Sequence, residues 1–324
     1  MKNRSLFITL ILLLICIITF SAFAVMNMGD IDKKGRISVV VDDSGDSRWN
    51  SFKEGLEQSA TDHNMSINYV NTESFMSTES ERKIIEMEMA DGCDGIILQP
   101  YSSSGMNKIV KDIISQVPLD IVESSVTADA DVEGRYSVTA VDNDALGQKL
   151  ANEMKIDNGG SLADVRIGIL SGSQRTDAMK ERLNSLKDTL NGSGCVIVWE
   201  YDSTFPPDTK IRKSLVNKDV DIICALDDNA LSTAAKSVSE SGQDVKLYGE
   251  GCSQENLYYL RNGIIKSMTV VDGFSLGYES VSAIADRIAS RQVPMTDAEI
   301  DFRIVHQDDI FDESNQRLLF PMQE

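Results

Sequence analysis

Short β-branched runs alternate with amphipathic stretches along nearly the whole chain, and this alternation limits the possible folds more than any other feature. Ile37, Val39, Val40 and Val41 form an apolar run without strict polar alternation, the pattern of a strand buried on both faces of a parallel sheet. Trp49, Phe52, Leu56 and Ala60 then recur at helical spacing, so a helix follows. Strands are expected again at 67–70, 95–98 and 119–122, and a second series runs through 137–141, 167–170, 196–199, 222–225, 246–249, 268–271 and 301–305. Strand–helix alternation of this kind predicts parallel sheets with right-handed crossovers. With 324 residues and 42% apolar content, the chain can build two modest cores. The expected fold class is therefore α/β, with two doubly wound parallel-sheet lobes.

In such sheets ligands bind outside the carboxyl ends of the strands, which makes the loop 42–48 the opening of a cleft. Acidic residues outnumber basic ones by 51 to 31, for a net charge of −20, which repels a phosphate backbone and argues against a nucleic-acid partner. Lys2 and Arg4 precede an uncharged run, 6–25, in which only Thr9, Thr19 and Ser21 are polar. The run is long enough to cross a bilayer, with its basic flank on the cytoplasmic side. Ala22 and Ala24 around Phe23 also fit a signal-peptidase pattern. A retained transmembrane anchor and a cleaved signal helix over 1–29 both stay open. The first leaves the protein on the outer face of the membrane, the second leaves it periplasmic or secreted, and a polar linker, 30–35, follows in either case.

Nothing points to metal, cofactor or catalysis. Asp42, Ser44 and Asp46 imitate the start of a calcium loop, but Ser47 and Lys53 stand where glycine and glutamate are needed. Neither phosphate-cradling glycine motif occurs, and Gly172-Ser173 lacks the surroundings of a nucleophile elbow. His63 and His306 lie at a helix end and past a strand, away from any nucleophile. Cys16 falls inside the apolar run; Cys93, Cys195, Cys224 and Cys252 lack C-x-x-C spacing and are expected as buried thiols. A Cys224–Cys252 disulfide is permitted by an external location. The chain is read as non-enzymatic. The strand ends instead carry Asp43, Asp46, Trp49, Gln99, Tyr101, Glu123, Asp142, Lys180, Asp227, Asp228 and Glu250. Facing one another across two lobes, aromatics would cover an apolar ring face while carboxylates accept hydroxyl protons.

Several stretches carry a family likeness: ISVVVDDSGDSRWNSFKEGLEQSA (37–60), GCDGIILQP (92–100), VPLDIVESS (117–125), AVDNDALGQKLA (140–151), ALDDNALSTAAKSV (225–238) and DFRIVHQDDI (301–310). In order and spacing they resemble type I periplasmic binding proteins of the ribose and galactose class, whose domain also forms the effector lobe of LacI-type repressors. The resemblance spans 36–311 and implies a three-crossing hinge near Ala140, Thr269 and Ile304. One lobe would comprise 36–139 and 272–303 and the other 140–271, followed by a tail, 312–324. Carried over by position, Asp46 and Trp49 match ligand contacts of the first loop, Gln99 an amide, Glu123 a carboxylate, Lys180 a clamping arginine and Asp227 an amide-bearing position. With Asp43, Asp142 and Glu250 these form the expected ligand-binding set. Ser124, Gly251 and Val271 stand where sugar binders commonly have Arg, Asp and Gln. That substitution pattern implies a cleft richer in acid and poorer in guanidinium, suited to a cationic or amino-bearing solute. The implied function is capture of a small polar solute, a sugar or sugar derivative, for an ABC permease, a membrane sensor kinase or a chemoreceptor. Two alternatives are a ligand-independent adaptor and an enzyme acting on a sugar derivative.

Overall fold

The strands that build the molecule are short and are buried from both sides. A computed structural model describes residues 34–320 except 76, 127, 128, 130, 131, 133 and 203–207. The apolar run 6–25, Cys16 and most of the linker lie outside the described residues. Among the described residues, no helix is long and apolar enough to cross a membrane.

The first lobe contains β1 (Gly35–Val40), α1 (Asn50–Asp62), β2 (Met65–Tyr69), α2 (Thr78–Ala90), β3 (Gly95–Leu98), α3 (Asn107–Ile114), β4 (Leu119–Val122) and β5 (Ser137–Val141). The chain then crosses to α4 (Asn143–Asp157), β6 (Arg166–Gly172), α5 (Asp177–Leu190), β7 (Val196–Asp202), α6 (Asp208–Asn217), β8 (Ile222–Ala225), α7 (Asp228–Ser241), β9 (Lys246–Glu250), α8 (Gln254–Arg261) and β10 (Ile265–Val271). It returns for α9 (Gly273–Ala289) and β11 (Ala298–Ile300), and crosses once more for β12 (Phe302–His306) and α10 (Glu313–Leu319). The two sheets have orders β11-β5-β4-β3-β1-β2 and β12-β10-β9-β8-β6-β7. The β10–β12 pair is antiparallel; the other described registers are parallel.

Helices cover both faces of each sheet. In the first lobe Ile37, Val39 and Ile97 pack beneath α1 and α9, while Val40, Ile96 and Leu98 pack on the opposite side with Ile85, Val110 and Ile113. The second lobe likewise has two apolar clusters, centred on Leu247 and on Ile169. Burial on both faces explains why these strands lack polar alternation. The α1–α9 contact is a backbone approach: a Cβ on Gly55 would sit 2.0 Å from the Phe274 carbonyl oxygen, and one on Gly277 would sit 2.1 Å from that of Phe52. Only glycine fits at these two positions.

Three expectations change. The crossings, placed near Ala140, Thr269 and Ile304 from the sequence, fall at Asp142, Asp272 and Asp301, because β5 and β10 each complete their own sheet before the chain leaves it. The single last strand, 301–305, becomes β11 and β12, which belong to different sheets and are separated by Asp301. The Asp272 N–H donates to the Asp301 carbonyl at 3.0 Å, tying the second and third crossings together. The polar tail, in turn, contains α10, whose Leu318 and Leu319 pack against the second core. A stretch this short gives too few turns for its apolar period to show.

Candidate functional site

The loops beyond the strand ends of the two lobes enclose a cavity of about 250 Å³, at the small end of ligand sites. On the first lobe a hydrogen-bonded relay crosses three strand ends. The Asp42 N–H, just past β1, donates to Gln99 Oε1 at 2.8 Å, and Gln99 Nε2, past β3, donates to Glu123 Oε2 at 2.5 Å, past β4. Glu123 has a φ of 66°, a left-handed backbone that few side chains other than Gly, Asn and Asp adopt readily. Trp49 Nε1 donates to the Asp42 carbonyl at 3.0 Å, so the indole is locked against the relay. Behind this wall the buried Glu81 accepts the Tyr101 N–H at 2.7 Å, and burial pushes its carboxyl up to about 7.

The second lobe uses its acids to cap backbone. Asp227 accepts the Ala230 N–H at 2.7 Å and caps α7. Asp228 Oδ1 accepts the N–H groups of Cys252 and Ser253 at 2.7 and 2.8 Å, joining the loops after β8 and β9. Arg182, buried on α5, donates to Asn143 Oδ1 at 2.7 Å and to the Leu226 carbonyl, and meets Glu250 at 3.3 Å. Burial raises the pKa of Asp227 against the pull of its partners. It pushes Glu250 up to about 8 despite Arg182, and it holds the Cys252 thiol well above its usual range.

The lobes also meet directly. The N–H groups of Asp177 and Ala178, at the start of α5, donate to Ser103 Oγ at 2.8 Å and Ser124 Oγ at 3.2 Å. The Arg175 carbonyl accepts Ser103 N–H and Ser102 Oγ, both at 3.2 Å. The Cys252 thiol donates to the Arg48 carbonyl at 3.5 Å. Two guanidiniums lie on aromatic rings at the cavity wall: Arg48 on Trp49 at 4.4 Å, within the first lobe, and Arg175 on Tyr101 at 4.2 Å, across the lobes. Burial alone would lower the Arg48 pKa, but Glu123, Asp46, Asp227 and Asp42 outweigh it and raise it.

Two α/β lobes, three crossings and a cavity between facing strand ends are joined by a match along the sequence: the family profile described as a periplasmic binding protein domain covers residues 37–292. The chain belongs to this family. No curated protein matches it significantly. Among solved structures, it is similar to a carbohydrate-transporter solute-binding protein from Agrobacterium radiobacter in complex with D-arabinose. That protein is 16% identical, with 88% of this chain and 99% of the other covered and a TM-score of 0.77. An ABC-transporter solute-binding protein from Agrobacterium vitis with bound D-fucose is 18% identical, with coverages of 88% and 100% and a TM-score of 0.79. XylFII in its complex with LytSN is 20% identical, with coverages of 86% and 99% and a TM-score of 0.73. At these identities the likeness is one of fold.

Within this periplasmic binding protein domain, Trp49, Gln99, Glu123, Asp227 and Glu250 line the cavity, as do Tyr101 and Asp228. The other residues of the expected set stand elsewhere. Asp43 is an exposed turn residue with a φ of 46°. Asp46 caps the short turn before α1 and lies 3.5 Å from Arg48 Nε. Asp142 caps α4 at the first crossing, accepting the Ala145 N–H at 2.9 Å. Lys180 is exposed and pairs with Asp177 at 2.9 Å.

Three further expectations need correction. The cleft is not poor in guanidinium, since Arg48, Arg175 and Arg182 all line it. Trp49 is only 2% exposed and its ring already carries Arg48, so it is a braced wall. Arg182 had a legible signal: it falls four residues after Ala178 and four before Leu186, on the apolar stripe of α5, and a cation there needs a partner. Arg48 and Arg175 sit in loops, where no periodicity marks the inward direction. The permitted disulfide does not form, because Cys224 is in the core of β8 while Cys252 lines the cavity, and both are free.

Proposed function

We propose that the protein captures a small polyhydroxylated solute, a sugar or sugar derivative, between its lobes, without chemical conversion, outside the cytoplasmic membrane. The observation that carries this reading is the cavity wall, where arginine donors, carboxylate acceptors and apolar surface from Phe52, Met179 and Leu276 converge from both lobes. Ring hydroxyls both donate and accept, and ring carbons need apolar cover. The family match and the sugar complexes named for proteins of the same fold support it. Solute would favour the closed arrangement, in which Ser103 and Ser124 meet α5, and the three crossings would act as the hinge. The uncharged run 6–25 supports either a retained anchor or a cleaved leader.

The solute-loaded form would be delivered to an ABC permease or presented to a membrane sensor. The transporter names carried by fold neighbours support the first route, and the XylFII–LytSN complex supports presentation to a second protein. A second reading, a ligand-independent adaptor, draws on the direct lobe-to-lobe hydrogen bonds, which join the lobes through protein groups alone. A thermal-shift screen of the full chain in mild detergent against pentoses, hexoses, sugar acids, amino sugars and polyols separates the two. A selective rise in melting temperature that disappears in Gln99→Ala supports capture. No shift from a well-folded sample favours the adaptor.

A further inference from the structure

Asp42, Glu123, Asp227, Asp228 and Glu250 line the cleft together with Arg48, Arg175 and Arg182. Arg182 meets Glu250 at 3.3 Å, and Arg48 lies 3.5 Å from Asp46. Among the described residues, no carboxylate forms an ion pair with Arg175, which also lines the cavity. Its guanidinium is held over Tyr101 at 4.2 Å, and its carbonyl is fixed by Ser102 and Ser103 of the opposite lobe. Its Nε is buried without an acceptor, and the same is true of Ser173 Oγ, two residues earlier on the same wall.

The neighbouring acids are already engaged. Asp42 accepts the Phe75 N–H, Glu123 the Gln99 amide, Asp227 the Ala230 N–H, Asp228 the N–H groups of Cys252 and Ser253, and Glu250 faces Arg182. Among the described residues, Arg175 is thus a positioned cation with donors to spare and no ion-pair partner. A hydroxyl can satisfy its N–H groups but cannot pair with its charge. A carboxylate does both, because its two oxygens match the planar fork.

We propose that the solute is a sugar acid, a monosaccharide-sized polyol with one carboxylate, oriented with that carboxylate on Arg175 and Ser173 and its hydroxyls toward Glu123 and Asp227. This rests on the reading of the cleft as a solute site and replaces the expectation of an amino-bearing solute with one whose charged group pairs with Arg175.

The test is calorimetric titration of the full chain in mild detergent with D-galacturonate, D-glucuronate and D-gluconate, each against the matching neutral sugar, and with D-glucosamine. At least one acid should bind about tenfold tighter than its neutral partner or more. The margin should shrink between about 0.02 M and about 0.5 M salt. Arg175→Gln should weaken the acid far more than the neutral sugar and so remove the margin, while Arg175→Lys should keep part of it. The melting temperature of each variant checks that it is folded. A neutral sugar binding as tightly as its acid, or Arg175→Gln weakening acid and neutral sugar alike, overturns the sugar-acid proposal and leaves the capture reading in place. No binding by any member of the panel overturns both.

Discussion

The two walls of the cleft are built at equivalent places, beyond the carboxyl ends of parallel strands, yet they do different work. On the first lobe Asp42, Gln99 and Glu123 bond to one another in a relay parallel to the cavity surface, leaving one Glu123 oxygen open to it. On the second lobe the acids cap α7, join two loops and meet Arg182, so most of their capacity goes into holding the wall. The lesson is that a strand-end position makes a residue a candidate, whereas what it is already bonded to decides whether it can meet a solute. Arg175 and Arg182 show the contrast seven residues apart on one lobe. Arg182 is bonded to Asn143, the Leu226 carbonyl and Glu250, whereas among the described residues Arg175 has no ion-pair acid.

The second wall depends most on a single side chain at Arg182. Arg182→Ala strands Glu250 and Asn143 in a buried wall, and chemical unfolding should show a loss of about 3–5 kcal/mol. A loss as small as that of an exposed substitution would mean that this wall is not held as described.

Titration gives the next largest effect and compares the lobes directly. Asp120, buried in β4 and bonded to Ser137 and Thr139 at 2.6 and 2.9 Å, is pushed up to about 7 by burial. Glu250 is pushed up to about 8. Both carboxyls bind a proton more tightly in the folded chain than in the unfolded one. Their stabilising contribution is therefore full below the unfolded values of 3.8 and 4.5, and it is lost as pH rises toward about 7 and about 8. Solute-free protein should accordingly lose about 1–3 kcal/mol between mildly acidic and mildly alkaline pH. Asp120→Asn should flatten the lower part of that slope and Glu250→Gln the upper part, as read from melting curves across pH. A slope that neither variant changes would assign the effect to other groups.

The smallest effect sharpens the boundary between the lobes. Ser103→Ala removes the acceptor for the Asp177 N–H and should cost closure about 1 kcal/mol, seen as a larger radius in small-angle scattering without solute and little change in either core. An unchanged radius would show that these bonds do not hold the lobes together.

Much of the architecture was legible because the signals that specify it are local. Runs such as Ile96 to Leu98 and stripes such as Ile109, Val110 and Ile113 carry their burial pattern within a few residues. The three-residue β11 and seven-residue α10 are too short for a period to emerge, and each exists because of what it packs against: β5 for one, the second core for the other. In the expected binding set, the members that stand at strand ends and face inward, such as Gln99 and Glu250, reach the cavity. Asp46, Asp142 and Lys180 are spent on caps and a surface pair, tasks their residue types suit equally well.

The order of strands and helices through β10, the doubling of the lobes and the strand ends where a ligand can be met are all written in the sequence. They are legible there because alternating burial acts on each residue and its near neighbours. Which cations enter the cleft, the bracing of Trp49 by Arg48, and the capping of a helix of one lobe by serines of the other come from the folded arrangement. Those outcomes depend on helix rotation and lobe approach, which bring Ser103 to Asp177 and Arg48 to Cys252 across long stretches of chain, and no local pattern encodes such distances.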